Sequence, residues 1–156
     1  MFQINVKDYA DVLRKVHSLA SEKVAKNQSA SIGDVDLKAI LIKREKSELL
    51  EFLNTLDMKT VQVIEAVMYI GRDYSPLDDP NIREMIENAN DEEDYEKIGN
   101  IDYTAPVQNP DKLINDTLDQ LSKNAYFGNK DISINQIYQK TPLRDYLDRA
   151  FIILGL

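Results

Sequence analysis

The chain marks the start of helices with a recurring pair of residues, a capping side chain followed by proline. The pair occurs at Asp79-Pro80, Asn109-Pro110 and Thr141-Pro142. Proline suits the first position of a helix, where its missing N–H has no intrahelical partner, and the preceding Asp, Asn or Thr can accept a hydrogen bond from a free amide. These signals predict three helices that begin at the prolines.

Glycines mark the opposite ends of the same pattern. Gly71, Gly99, Gly128 and Gly155 each stand where a run of helical spacing stops. Glycine closes helices readily because it adopts the left-handed backbone conformation without a steric penalty. The agreement between starts and stops predicts an all-α fold.

Two further helix starts rest on weaker signals. A helix is predicted to begin at Asp8, because apolar residues recur after it at spacings of three and four. Ser133 and Gln136 have the spacing of a capping box and predict a short helix there. The stretch from Ala39 to Ile42 fits either a helix or a short strand.

The segment from Met58 to Ile70, MKTVQVIEAVMYI, is the most apolar helical stretch. It follows a capping residue, Asp57, and its apolar residues cover nearly the whole circumference of a helix. Such a helix is buried on most sides. Since 156 residues suit one domain, we expect residues 1–156 to form a single compact bundle of about six or seven helices around Met58 to Ile70.

The net charge of −8 is concentrated in one part of the chain. Eleven acidic and two basic residues lie from Asp73 to Asp102, so this segment carries −9 and the rest of the chain +1. A run of acidic residues forms either a solvated face or a docking patch for a basic protein. The candidate interaction residues here are Asp91, Glu92, Glu93 and Asp94.

The composition excludes several classes of protein. The chain has no cysteine and one histidine, and its acidic runs fit no calcium-loop register, so we expect no metal and no other cofactor. It has no dense basic cluster for nucleic acid, no apolar run of about 18 residues for a membrane span, and no secretory signal. We therefore expect a cytoplasmic protein without nucleic-acid or membrane partners.

Three residues are candidates for a ligand site. Arg72 follows Gly71 at the end of the central helix, with Tyr74 nearby; it either stabilises the helix C-terminus, by roughly 0.3–1 kcal/mol, or binds an anion in a cleft. His17 lies at the edge of the first helix's apolar stripe and is either a boundary residue or a general base. A ligand site would require Arg72, His17 and Tyr74 to converge.

The last helix becomes apolar on all sides near its end. Phe151 and Ile152 fall on the same sides of this helix as its charged residues. Either the rest of the chain or another subunit covers them. Phe151 and Ile152 are therefore further candidates for an interaction surface.

An apolar helix ends in Gly71-Arg72, and the last part of the chain carries Thr141-Pro142-Leu143 and Asp145-Tyr146-Leu147. The two segments that hold these motifs resemble a family of short bacterial helical proteins, domain of unknown function thirty-seven seventy-five. The resemblance implies an all-helical, cytoplasmic bacterial protein and no assigned activity. Tyr69 stands where the family has a tryptophan, and Gln139 where it has a leucine. The matching residues are Phe52, Leu56, Val67, Gly71 and Arg72, then Tyr138, Thr141, Pro142, Leu143, Asp145, Tyr146, Leu147, Leu154 and Gly155.

Two functional hypotheses follow. The favoured one is a non-enzymatic protein-interaction module that uses the acidic segment or the C-terminal tail, either to bind another protein or to self-associate. It is motivated by concentrated charge without an assembled catalytic motif. The alternative is a small-ligand or enzymatic site between helices, centred on Arg72. A cavity beside Arg72 is the feature that this alternative requires.

Overall fold

The computed structural model describes residues 2–29, 48–101 and 106–156. These residues form eight α-helical segments and no strand, which confirms the predicted all-α bundle with slightly more helices than expected. The stretch from Ala39 to Ile42 lies outside the described residues. In chain order the elements are a 3-10 helix Val6–Tyr9, α1 Ala10–Ser29, α2 at residues 48–55, α3 Met58–Asp73, a 3-10 helix Pro76–Asp78, α4 Pro80–Glu87, α5 Glu92–Gly99, α6 Pro110–Leu121, α7 Lys130–Tyr138 and α8 Leu143–Leu154.

Helix α3 is the centre of the bundle, as its apolar sequence predicts. Every residue from 61 to 68 is buried, which requires neighbours on all sides of the helix. Helices α6, α7 and α8 pack against α3, and α1 packs against α8. The neighbouring helices contribute fully buried side chains to this core, among them Leu13, Leu118, Ile137 and Leu147.

Three of the predicted helix caps are confirmed. The side chains of Asp57, Asp79 and Asn109 each accept a hydrogen bond from a backbone N–H in the first turn of α3, α4 and α6. Pro80 and Pro110 occupy the first position of their helices. These three starts are set by local chemistry, because the capping oxygen satisfies an amide that has no partner within the helix.

The predicted cap of the last helix is wrong. Helix α8 begins after Pro142, and no side chain caps it. A turn closed by the N–H of Leu143 and the C=O of Lys140 already leads the chain into the helix. Thr141 lies within that turn, so its hydroxyl is not used as a cap.

Two other predicted starts lie too late in the chain. Asn129, not Ser133, caps α7, and Ser133 is buried inside the helix. Asn5, not Asp8, caps the first helical residues, which form the 3-10 helix Val6–Tyr9 and lead into α1. In both cases an asparagine a few residues earlier is an equally strong cap.

Gly71 does not end α3, contrary to the prediction. The helix continues to Asp73, and a Cβ on Gly71 would lie 1.7 Å from the carbonyl oxygen of Tyr146 in α8. Gly71 therefore allows the backbones of α3 and α8 to touch. Gly155, in contrast, closes α8 in the left-handed conformation with φ of 70°, as predicted.

Hydrogen bonds from the side chain of Asn115 hold the N-terminal segment against α6. Its Oδ1 accepts a hydrogen bond from the N–H of Ile4 at 2.9 Å, and its Nδ2 donates to the C=O of Ile4 at 3.1 Å. The carboxylate of Asp111 accepts from the N–H of Val6 at 2.8 Å. These side chains supply the partners that the backbone of a non-helical segment needs when its apolar side chains are buried.

We expect Asn115→Ala to lower the free energy of unfolding by about 1–3 kcal/mol, because it leaves the N–H and C=O of Ile4 without these partners. Urea denaturation measures the loss. Asn135→Ala is the matched control, since Asn135 is also helical but is exposed on α7. An equal loss in both variants would contradict the role given to Asn115.

Candidate functional site

The acidic segment folds into a pair of helices, α4 and α5, neither of which buries a residue. The two helices contact each other, and α4 also contacts the 3-10 helix Pro76–Asp78. The apolar residues of α4 are Ile82, Met85 and Ile86, at helical spacing, and the last two are both 39% exposed. The α4–α5 pair therefore leaves an apolar surface in contact with water.

An apolar groove lies between α4 and α8, with residues 106–108 also contributing to its lining. Its volume is about 430 Å³. We call it the α4–α8 groove, and its main apolar lining residues are Ile82, Met85, Ile101, Val107, Ile152 and Ile153.

The two apolar residues at the end of α8, Phe151 and Ile152, differ in their exposure to water. The side chain of Ile152 is 53% exposed and lines the α4–α8 groove. Phe151 is partly buried against the core, with its ring centroid 5.5 Å from that of His17. Other parts of the chain thus cover Phe151 in part, while Ile152 remains available to a partner.

The predicted acidic interaction residues lie at the start of α5. Asp91 caps the helix, and the carboxylate of Asp94 accepts a hydrogen bond from the N–H of Asn90. Glu93 lies 3.7 Å from Lys97, and Glu92 is exposed. Two of the four therefore have a local structural role, and all four add negative charge to the α4–α5 pair.

Most acidic residues of the α4–α5 pair have no basic partner. Within the described ranges, Glu84, Glu87, Glu92 and Glu96 form no ion pair. Glu84 lies close to the α4–α8 groove, because Met85 lines both this groove and an adjacent depression that Glu84 lines. The groove is thus bordered by uncompensated negative charge.

Arg72 is engaged by its neighbour in sequence. Its Nε and Nη2 donate to the two carboxylate oxygens of Asp73 at 2.7 and 2.8 Å, and its guanidinium carbon lies 4.6 Å from the centroid of the Tyr69 ring. This paired hydrogen bonding raises the pKa of Arg72 and lowers that of Asp73. The positive charge of Arg72 is therefore compensated within the chain.

A polar cleft of about 680 Å³ lies beside Arg72, so the cavity that the alternative hypothesis requires is present. Tyr74 lines this cleft and also the α4–α8 groove. Arg72 pairs with Asp73, and the other two carboxylates in the lining, Asp78 and Asp116, pair with Arg83 and Lys112. The cleft therefore offers an anion no positive charge that lacks a partner. The tyrosines and carboxylates that line it are Tyr69, Tyr74, Tyr126, Asp73, Asp78 and Asp116.

His17 lies apart from Arg72 and Tyr74. Its Nε2 is 2.6 Å from Oδ1 of Asp148, which joins α1 to α8, and it lines neither the polar cleft nor the α4–α8 groove. The structure therefore brings together only two of the three predicted ligand-binding residues. The position of His17 suits a contact between helices.

Glu65 is a buried carboxyl group that the sequence analysis did not single out. It is 1% exposed in α3, and its Oε1 has no hydrogen-bond partner among the described residues; the same is true of Oγ of Ser133. Burial raises the pKa of Glu65, although interactions with Ser133, Tyr126 and Lys140 lower it in part. A single glutamate within the apolar run VQVIEAVMYI is the signal that marks it.

Neither a metal site nor a known relative helps to define the function. In residues 2–29, 48–101 and 106–156, no group of three acidic or histidine side chains could hold a metal ion, and no helix has the length and hydropathy that a membrane crossing requires. Comparison with family models, curated proteins and solved structures finds no match. The family resemblance in the sequence stays a prediction.

Proposed function

We propose that this protein is a non-enzymatic interaction module that binds a partner protein in the α4–α8 groove. The observation that carries the proposal is the exposure of Ile152 in an apolar groove whose other wall, α4, buries none of its residues. Burying apolar surface lowers the free energy by roughly 25 cal/mol per Å², so binding of a partner that covers the groove is favourable. The bacterial cytoplasm predicted from the sequence is the location that we assign to this activity.

A partner of different sequence fits the groove better than a second copy of the chain. In a two-fold dimer formed across this groove, each subunit would bring its acidic α4–α5 pair towards that of the other. The segment from Asp73 to Asp102 carries a charge of −9, and like charges at an interface oppose association. Self-association is therefore the less favoured form of the interaction hypothesis.

The cleft beside Arg72 supports a second candidate function, a small-ligand site. Its volume and its three tyrosines favour this candidate. The hydrogen bonds between Arg72 and Asp73 count against an anionic ligand, because binding one would require breaking them. The α4–α8 groove is the better supported site, because no other described residue covers the exposed apolar side chains of Met85 and Ile152 in its lining.

We expect Ile152→Asp to weaken binding in the groove at least about tenfold, a loss of about 1.4 kcal/mol, because it places a charge in an apolar contact. The fold should be retained, since Ile152 is 53% exposed. The measurement is a selection of displayed random peptides on the wild-type protein, followed by affinity determination on the variant.

Ile132→Asp is the matched control, because Ile132 is 39% exposed on α7 and does not line the groove. Peptides that bind wild type and the Ile132 variant but lose affinity for the Ile152 variant support the proposal. Peptides that bind all three equally, or the absence of any binder, overturn it. Light scattering provides a separate check: a dimer that Ile152→Asp dissociates would make a second copy the partner.

A further inference from the structure

We propose that the partner segment is a basic amphipathic helix. Its apolar side chains would enter the α4–α8 groove, and its Lys and Arg side chains would face the acidic residues around it. This inference rests on the proposed function and adds the chemical class of the partner.

The charge around the groove selects for a basic partner. Asp79 lines the groove itself, and Glu84 and Asp94 line the depression that shares Met85 with it. Lys97 also lines this depression, and its Nζ lies 3.7 Å from a carboxylate oxygen of Glu93. Among the described residues that line the groove, Arg149 is the one basic residue, and its guanidinium donates to the C=O of Tyr74 at 3.2 Å. Basic groups on a partner would therefore meet carboxylates without basic partners of their own.

The shape of the groove suits a helix. Two of its walls are helices, which contribute Ile82 and Met85 from α4 and Ile152 and Ile153 from α8, and residues 106–108 complete the lining. An amphipathic helix presents apolar side chains at spacings of three and four along one face, which is how helices bind in grooves of other helical proteins. The polar flanks of such a helix would lie at the rim, where the carboxylates are.

The same features disfavour other classes of partner. Nucleic acid and acidic proteins would bring further negative charge to a segment that already carries −9. A basic peptide without an apolar face would leave Ile152 and Met85 exposed to water. Both properties, positive charge and apolar anchors on one face, are therefore needed in the same segment.

The test uses three synthetic peptides of about 18 residues, long enough for a marginally stable helix. The first has leucine along one helical face and lysine elsewhere, the second replaces lysine with glutamate, and the third is a scrambled form of the first. Affinity for the full chain is measured by fluorescence anisotropy at about 0.05 and 0.5 M salt, where electrostatic screening differs strongly.

We expect the amphipathic lysine peptide to bind at least about tenfold more tightly than the other two, and to lose affinity at high salt. Ile152→Asp should reduce its affinity at least about tenfold and Glu84→Lys about threefold or more. The matched controls are Ile132→Asp and Glu51→Lys, both at exposed positions outside the groove. They should leave the affinity within about twofold of wild type.

The outcomes separate this inference from the proposed function. If selected peptides require Ile152 but the lysine and glutamate peptides bind equally, or binding ignores salt and Glu84→Lys, the basic partner is overturned and the groove function stands. If the lysine peptide binds no better than its scrambled form, or equally to Ile152→Asp, its binding is non-specific and the inference fails. If none of the peptides binds, the inference also fails, and the peptide selection decides the proposed function alone.

Discussion

Replacing Gly71 with alanine lowers the free energy of unfolding by about 2 kcal/mol. The new Cβ would lie 1.7 Å from the carbonyl oxygen of Tyr146, a backbone atom that no side-chain rotation can move. Helices α3 and α8 must then separate, which costs about 3 kcal/mol, the upper end of the usual range for overpacking. Alanine's better helix propensity offsets about 1 kcal/mol of this loss.

Chemical denaturation followed by circular dichroism measures this change, with Gly99→Ala as the control. Gly99 is the last residue of α5, and its Cβ would meet no atom within 4 Å. The control should therefore leave the stability unchanged or raise it by up to about 1 kcal/mol. Similar stabilities for the two variants would show that α3 and α8 do not touch at Gly71.

Replacing Glu65 with glutamine raises the stability of the protein at neutral and alkaline pH. Burial raises the pKa of Glu65 above its ordinary value of 4.5. The folded state therefore binds the proton more tightly than the unfolded state does. The contribution of Glu65 to stability is full below pH 4.5 and is lost as the pH rises through the folded-state pKa.

The expected gain for Glu65→Gln at pH 8 is on the order of 1 kcal/mol, because a neutral amide replaces a carboxylate with a buried, unpaired oxygen. Below about pH 4.5 the two proteins should have nearly equal stability. Urea denaturation over a series of pH values measures the difference between them. Asp57 and Asp73, whose pKa values are lowered, act in the opposite direction in both proteins, so the difference removes their contribution.

Glu51→Gln is the control for this series, since Glu51 is exposed on α2. It should leave the pH dependence of stability unchanged. A loss of stability in Glu65→Gln at pH 8 that disappears below about pH 4.5 would mean that the ionised carboxylate stabilises the fold, and would contradict the prediction.

Three helix starts were predictable from one local signal each. Asp57, Asp79 and Asn109 each cap a helix with a side chain that bonds the next turn. Predictions failed at Ser133 and Asp8, where an earlier asparagine competes for the same role. The prediction also failed at Thr141, where a backbone turn leads into α8 without a side-chain cap. Capping chemistry acts over a few residues, so the sequence shows which residues can cap but not which of two neighbours does.

The candidate site was only partly predictable. The sequence identified the acidic segment and Ile152, since charge and helical periodicity can be counted along the chain. It did not show that α4 leaves its apolar residues facing Ile152, because the distance between α4 and α8 depends on how the helices pack. The pairing of Arg72 with Asp73 was also missed, since adjacent residues in sequence need not bond.

The sequence by itself determined the helical class, three helix starts, the identity of the central helix and the location of the negative charge. Each follows from spacing and composition, which act locally. Only the tertiary structure decided that Gly71 is a contact between helices, that Glu65 is buried without a full set of partners, and that Ile152 lines an open groove. These properties depend on atoms far apart in the chain, whose distances are set when the helices pack together.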